Sequence, residues 1–511
     1  MTSQLLLGVD IGSYSSKGVL VTPEGEVLAS ATVEHEMSFP RPGWAEHDAE
    51  SIWWGEFVTI TRLLLSGKYT GEDVGAVAVS AIGSCMLPVD QQGNALRPGV
   101  LYGIDTRSTA EITWLNGHFG EDALFELGAM ALTSQAIGPK ILWLKNNEPE
   151  IYRKTYKILT ASSYPILKLT GEFVMDRHSA SYYNPLIDIR TLEWSPDFAA
   201  PIIELDRLPR LLWSDEIAGH VTSAAAAITG LKAGTPVSAG TIDAAAEAIS
   251  VGVVDPGDLM IMYGTTMFFI QVTDRPTPDP RMWCCGFCFA GRYGIEGGMS
   301  TTGALTRWFR DQFGQAELTA EQSGGANAYA ALADMASTVP AGSHGLVCLP
   351  YLSGERTPIN DPLARGLYAG LTLSHTRADL YRASLEGTAY GVRDNLNVMA
   401  EMGSEPRRIV AVGGGTQNPL WLQIVSDVTG KQQLVPEQTI GAAYGDAYLA
   451  GVASGIISNQ TSIKTSWVKI MRTIDPDPSM ASTYDPYYEV YKSLYTATKA
   501  DMHRLADLGQ N

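Results

Sequence analysis

A single carboxylate heads the Ala-rich stretch Asp243-Ala-Ala-Ala-Glu-Ala-Ile-Ser250, directly after the apolar run Val237-Ser-Ala-Gly-Thr-Ile242. Alanine is the strongest helix former, and an acidic group is favoured where a helix exposes its first amides. Asp243 is therefore expected at a strand-to-helix corner, with its side chain projecting into a crevice. A helix cap is the plain alternative. Further on, Asp258–Thr273 reads as strand, small-residue turn, strand, and Gly264-Thr265-Thr266 offers amides and hydroxyls to an anion. A carboxylate facing a phosphate-sized turn points to phosphoryl transfer onto a hydroxyl.

The amino-terminal stretch Leu5–Val21 has the same form, two strands about a Gly/Ser turn, with a third strand expected over Val27–Val33. In that first turn Asp10 suits a metal held directly or through water, Gly12 lets a phosphate approach the backbone, and Lys17 supplies charge. An ordinary polar hairpin is the alternative reading. Val74–Ser80 predicts a strand leading into Ile82-Gly83-Ser84-Cys85. Another, Gly99-Val-Leu-Tyr102-Gly103, ends in Ile104-Asp105-Thr106-Arg107, where a carboxylate and a guanidinium could both hydrogen-bond a polyol or simply pair with each other. Ile409–Val412 predicts a strand followed at once by Gly413-Gly414-Gly415-Thr-Gln417-Asn418 and a helix, so a flat ligand could lie against the backbone there. The spacing is not Gly-x-Gly-x-x-Gly, which excludes a nicotinamide fold signature. Gly441-Ala-Ala-Tyr-Gly445 opens a small-residue helix able to pack closely.

The elements that must carry these groups are legible around them. Asp48 is the expected cap of a helix through Trp53, Phe57, Ile60 and Leu64. Residues 139–195 read as mostly helical, with one helix ending at Gly171. Thr301-Thr-Gly303 precedes a helix through Trp308, and Leu385–Met399 carries a long amphipathic one. At 511 residues, 45% apolar and 18% charged, the chain has the composition of two or three globular domains. A net charge of −19 speaks against nucleic acid and anionic membrane as partners. It also means that any polyphosphate must be held by amides, a few placed cations and a divalent metal. The five cysteines are too few and too odd in number for a disulfide framework. Cys285-Gly-Phe-Cys288 has zinc spacing but lies in the apolar run Trp283–Phe289, which reads as a buried strand. Met1–Leu7 lacks the basic start of a leader, and no apolar run reaches membrane length. A cytoplasmic protein is expected.

Taken together, these segments resemble the FGGY family of carbohydrate kinases, within the actin-like ATPase superfamily, and within that family the xylulose kinases. The specific motifs are Pro350-Tyr-Leu-Ser-Gly-Glu-Arg-Thr-Pro-Ile-Asn-Asp-Pro362 with Arg365-Gly366 and Gly370-Leu371, and Arg382-Ala-Ser-Leu-Glu-Gly387. Pro139-Lys-Ile-Leu-Trp143, Leu169-Thr-Gly-Glu172 with Asp176, and Gly413–Asn418 support them, and the likeness runs from Leu5 to about Gly455. The resemblance implies an α/β fold of two ribonuclease-H-like domains with a cleft between them: an amino-terminal domain over 1–252, a carboxy-terminal one over 253–460, and a helical extension over 461–511. It implies ATP and Mg2+ as cofactors, with Asp243 as general base and Asp10 near the metal. Gly12, Ser13, Ser15, Lys17, Gly264, Thr265, Thr266 and Gly303 would meet the phosphates. Gly413, Gly414, Gly415, Gln417, Asn418 and Gly441 would cradle adenosine. Gly83, Ser84, Tyr102, Asp105 and Arg107, with Asp243, would face the sugar.

Two positions depart from the family pattern. Xylulose kinases commonly carry Gln-Met-His-Gly where this chain has Ile82-Gly83-Ser84-Cys85, and an amide where it has Ala244. The expectation is a sugar pocket with less bulk and fewer hydrogen-bonding groups, hence a ketopentose kinase of broad tolerance. A kinase for glycerol, ribulose or gluconate is the alternative within enzymes. Outside them stands a nucleotide-gated actin-like module, which would need no sugar-facing carboxylate. The sequence leaves the oligomeric state open, a homodimer included.

Overall fold

The protein is described from a computed structural model covering residues 4–509; the leader reading at Met1–Ser3 lies outside the described residues. The chain divides into two compact units, neither continuous in sequence. The first comprises 1–256, 272–294 and 440–468, and the second 257–271, 295–439 and 469–511. The expected boundaries at 252 and 460 divide the sequence, whereas each of these units is assembled from three stretches of it. The segment opening at Ile440 packs with the amino-terminal strands, its helix Ala442–Ala453 lying close against Gly8.

The sheet of the first unit is built on Leu5–Ile11, whose residues are apolar on both faces and almost all buried. A strand covered on both faces needs such a run. It pairs antiparallel with Ser15–Val21, which pairs antiparallel with Val27–Glu34, and on its other side it runs parallel to Val74–Ala81. Pro236–Ser238 and Thr241–Ile242 continue the sheet parallel to Val74–Ala81. Helix Gly55–Leu64 covers one face; Ile60 packs where Gly18 leaves room. Asp48 caps the helical segment before it, accepting the Ser51 N–H at 2.7 Å, as the sequence predicts. Helix Ala442–Ala453 covers the other face. A Cβ on Gly8 would sit 1.9 Å from the Ala443 carbonyl oxygen, and one on Gly445 1.9 Å from that of Ala246. Strand, helix 442–453 and helix Asp243–Ser250 thus meet backbone to backbone.

The second sheet repeats the order. Tyr293–Met299, Met267–Thr273, Asp258–Tyr263, Arg408–Val412 and Gln433–Pro436 follow one another across it, with an antiparallel hairpin and then parallel neighbours. Ile470–Ile474 adds an antiparallel edge, so the carboxy-terminal stretch is a strand before it becomes the helix Ala481–Leu508. The long helix Arg377–Glu401 packs against the helix Pro419–Thr429, and a capping box at Thr376 and Asp379 starts it. The family-signature loop is held by buried polar groups: Glu355 accepts the Ser300 N–H at 2.6 Å and Thr357 donates to Asn395 at 2.7 Å.

Two sequence expectations need correction here. The strand expected over Gly99–Gly103 is only Gly99–Val100, paired with Glu46–His47; beyond it the carbonyls of Leu101 and Tyr102 turn toward the ammonium of Lys140. The stretch 139–195 alternates helices with the short strands Lys157–Leu159, Val174–Asp176, Ile187–Asp188 and Glu193–Trp194. Gly171 does end its helix with a left-handed turn at φ 80°. Among the described residues no helix is long and apolar enough to cross a membrane.

The glycine contacts give a stability test. Gly445→Ala forces two helices apart and should cost about 1–3 kcal/mol in urea unfolding. Gly117→Ala, at an exposed helical position with nothing within 4 Å, should instead gain about 0.5–1 kcal/mol. Equal effects in the two variants would mean that the helix crossing tolerates a side chain.

Candidate functional site

Within the first unit, parallel strands end side by side and deliver their polar residues to one edge. Asp10 stands near the end of Leu5–Ile11, Ser80 near the end of Val74–Ala81, and Asp243 opens the helix after Thr241–Ile242. The cap position is Ile242, so Asp243 is the first helical residue and not the cap; its carboxylate accepts the Ala244 N–H at 2.7 Å. Glu247 follows one turn later on the same face. Asp446 arrives on helix Ala442–Ala453, at the place where the glycines allow it to approach the sheet. Lys17 lies opposite Asp10 in the hairpin register and donates to the Ile440 carbonyl. The turn between them is tight, with Gly12 N–H on the Ser15 carbonyl at 3.0 Å and no room for a Cβ at Gly12.

Asp10 and Glu247 both feel the charge of Lys17, and Asp446 feels that of Asp10. Burial pushes Asp10 up to about 6, against a lowering hydrogen bond from Ser80 and the charge of Lys17. Burial and the charge of Asp10 push Glu247 up to about 7. Asp446 is raised furthest, by burial and then by Asp10. The Ser80 hydroxyl lies 3.0 Å from Asp10 and 2.6 Å from Asp446. A hydroxyl has one hydrogen, so two ionised carboxylates cannot both be served. Burial and the neighbouring charge of Asp10 favour the neutral acid at Asp446, which has no exposed surface. The other Asp446 oxygen is buried without a hydrogen-bond partner among the described residues. This all-oxygen group, with one orphaned acceptor, suits a hard divalent cation such as magnesium. Glu247 and Asp446 were missed by the sequence reading. The signal for Glu247 was its i+4 spacing from Asp243, and for Asp446 a lone carboxyl in an otherwise small and apolar helix.

The expected sugar-side residues part company. Tyr102 is half-buried and packs over Gly83, where a Cβ would meet its ring at 3.4 Å; its hydroxyl is 3.5 Å from the Ser13 hydroxyl. Burial raises the Tyr102 phenol, and Asp243 is near enough to add to the effect. The aromatic ring thus returns bulk that the Gly83-Ser84 sequence takes away. Ser84, by contrast, is buried and donates to the Ser179 carbonyl at 2.6 Å. Asp105 and Arg107 have no exposed side-chain surface and form a two-pronged ion pair, Nη2 to Oδ2 at 2.7 Å. Asp105 also accepts the Ala45 N–H, and Arg107 reaches Glu46 at 2.8 Å while lying over the rings of Trp44 and Trp143. Ser84, Asp105 and Arg107, expected on the sugar side, thus have these polar atoms engaged within the protein, and the buried Asp105–Arg107 pair braces the turn that carries Tyr102. Ala244 packs with Met130, Tyr182, Ile242 and Trp283 in an apolar wall beside Asp243.

The second unit holds the other expected motifs. Gly264–Thr266 closes the hairpin, with Thr265 and Thr266 exposed, and the helix Gly303–Phe313 starts against it. Gly303 N–H donates to the Gly264 carbonyl at 3.1 Å, and a Cβ at Gly303 would come within 2.3 Å of that oxygen. Gly413, at φ 90°, lies against the backbone of Tyr263, whereas Gly414 faces open space. Gln417 is exposed, and Asn418 caps the helix Pro419–Thr429 through the Trp421 N–H at 3.1 Å. The cysteine pair of zinc spacing is buried, Cys285 inside the strand Trp283–Gly286.

Glu247 gives this site a pH signature. Its folded pKa lies above the ordinary value of 4.5, so the fold favours the neutral acid. The burial penalty is absent below that value and complete above about 7. In metal-free buffer, Glu247→Gln should gain little Tm at about pH 5 and a few degrees at about pH 8. A difference from wild type that does not change with pH would mean that Glu247 does not titrate in this window.

Known proteins match both halves of the chain. The model for the FGGY family of carbohydrate kinases, N-terminal domain, matches residues 5–250, and that for the C-terminal domain matches residues 259–454. A xylulose kinase of Escherichia coli (strain K12) is 30% identical over 496 residues, 96% of this chain and 98% of its own. A gluconokinase of Bacillus subtilis (strain 168) is 28% identical over 471 residues, 90% of this chain and 89% of its own. The crystal structure of xylulose kinase from Rhodospirillum rubrum shares the fold with a TM-score of 0.90 at 30% identity, covering 98% of this chain and all of that one.

Proposed function

The chain belongs to the FGGY family of carbohydrate kinases, and on that premise we propose that it transfers the γ-phosphate of ATP to a hydroxyl of D-xylulose or a near relative. The observation that carries this reading is the grouping of Asp243 at the start of its helix with Asp10, Glu247 and the tight turn at Gly12, all in one unit. Asp243 accepts the proton of the attacking hydroxyl; its place on the first helical turn aims the carboxylate. Asp10, with Glu247 beside it, would hold Mg2+ directly or through water. The cation would supply the positive charge that offsets the phosphates in a strongly acidic protein. Gly12, Ser13, Ser15 and Lys17 receive phosphate oxygens on the first unit. On the second, Gly264, Thr265, Thr266 and Gly303 do the same, and Gly413–Asn418 receives adenosine; Gly441 belongs to the nucleotide set through the first unit.

A neutral ketose fits the acceptor side better than a sugar acid. Arg107, the cation expected there, is already committed to Asp105 and Glu46. Next to Asp243 stand the Tyr102 ring and an apolar wall, which suit the carbon face of a sugar. Five buried free cysteines accord with a reducing, cytoplasmic setting.

The test is coupled ADP release over ketopentoses, polyols and sugar acids, with Asp243→Asn alongside. Wild type should turn over D-xylulose or ribulose in preference to glycerol or gluconate. Removing a positioned general base typically costs about 10²–10⁴-fold in kcat, and ATP affinity should stay within a few-fold. Half-maximal activity in the Asn variant, or turnover of gluconate alone, would defeat the respective assignment.

A further inference from the structure

Lys140 lies in the interior, on helix Ile137–Asn147, with no exposed surface. Its ammonium donates to the carbonyls of Leu101 at 2.8 Å, Tyr102 at 2.7 Å and Ser134 at 2.7 Å. An ammonium has three hydrogens, and all three are used on backbone oxygens. Placing a cation in the interior is costly, and an apolar side chain would fill the space more cheaply. The contacts say what the charge does: it pulls two separate loops onto one point. The same loops are stitched again around it, Ser134 Oγ to the Gly103 carbonyl at 2.7 Å and Gly103 N–H to Gln135 Oε1 at 3.1 Å. Between these fixed points the chain turns, Asp105 N–H closing onto the Tyr102 carbonyl at 3.0 Å. The turn presents the Tyr102 ring over Gly83 with its hydroxyl toward Ser13.

We propose that Lys140 is a positioning residue for the acceptor side of the reaction: by holding the Leu101–Asp105 turn against the Ser134 loop, it sets Tyr102 where the sugar must lie. The inference rests on the kinase reading above. It assigns Lys140 no contact with substrate; the lysine acts through Tyr102. A purely structural lysine would affect how much protein folds. A positioning lysine also changes how well the folded protein holds its sugar, and leaves the nucleotide side alone.

A pH effect follows from the same contacts. Burial draws Lys140 down to about 8, opposed by Asp105 and aided by Arg107. The other titratable group facing it is Cys85, held neutral by burial at about 12. As pH rises through about 8 the ammonium loses a hydrogen and its charge, and the clamp loosens.

The experiment measures kcat, the KM for D-xylulose and the KM for ATP in full-length wild type and Lys140→Met, with Ser134→Ala as a milder change to the same turn. In Lys140→Met the sugar KM should rise about tenfold while the ATP KM stays within about twofold. In Ser134→Ala the sugar KM should rise several-fold. Between about pH 7 and 9.5 the wild-type sugar KM should climb, and that of Lys140→Met should stay flat. Lower active fraction with unchanged sugar KM in Lys140→Met would overturn the inference. Should that variant fail to fold, an unchanged sugar KM in Ser134→Ala would overturn it equally. No turnover of any sugar by wild type would instead overturn the kinase reading, and this inference with it.

Discussion

Backbone-to-backbone packing at Gly8 and Gly445 is the constraint on which the first unit depends. Strand Leu5–Ile11, helix Ala442–Ala453 and helix Asp243–Ser250 approach so closely that a methyl group at either glycine would overlap a carbonyl oxygen. Only small residues permit this, and the helices supply them: Ala443, Ala246 and Ala447 line the crossing. The consequence is chemical. Asp10, Glu247 and Asp446 come from three segments far apart in sequence, and the crossing brings their carboxyls to one edge.

Gathering acids in this way has an electrostatic cost, and the fold meets it in three ways. Lys17 lies in register with Asp10. Ser80 bridges Asp10 and Asp446 with its single hydroxyl. Burial raises both Asp10 and Glu247, and the charge of Asp10 adds to the rise at Glu247, a cost that a bound divalent cation would relieve. Perturbed carboxyls of this kind collect at functional sites because the ligand, not the protein, completes their partners.

The acceptor side follows the opposite logic. There the charged side chains are engaged with one another and with backbone, Asp105 with Arg107, Arg107 with Glu46 and Lys140 with three carbonyls, while Arg107 Nη1 is buried without a hydrogen-bond partner among the described residues. What remains facing Asp243 is an aromatic ring and an apolar wall. Such pre-ordered, neutral surfaces suit the uncharged acceptor proposed above. The family-signature loop shows a related division, since Glu355 and Thr357 are engaged in holding backbone.

By itself the sequence determined the local frame. Both hairpins and their turns, the strand before Gly413, the helices opened by Asp48, Gly303 and Gly441, and the helix end at Gly171 follow from periodicity, caps and glycine. Each of these depends on neighbours a few residues away. The ordered motifs also carried membership of a family whose structures consist of two ribonuclease-H-like domains. Tertiary structure decided which polar side chains face outward. Arg107 two residues after Asp105 reads equally as a polyol clamp or an ion pair, and only the fold shows the pair formed and Arg107 lying over Trp44 and Trp143. Glu247 and Asp446 sit in alanine-rich helices that look alike all round; only the glycine crossing decides which face meets Asp10. The return of segment 440–468 to the first unit was equally invisible, because its fit depends on the shape of a surface assembled from residues hundreds of positions earlier.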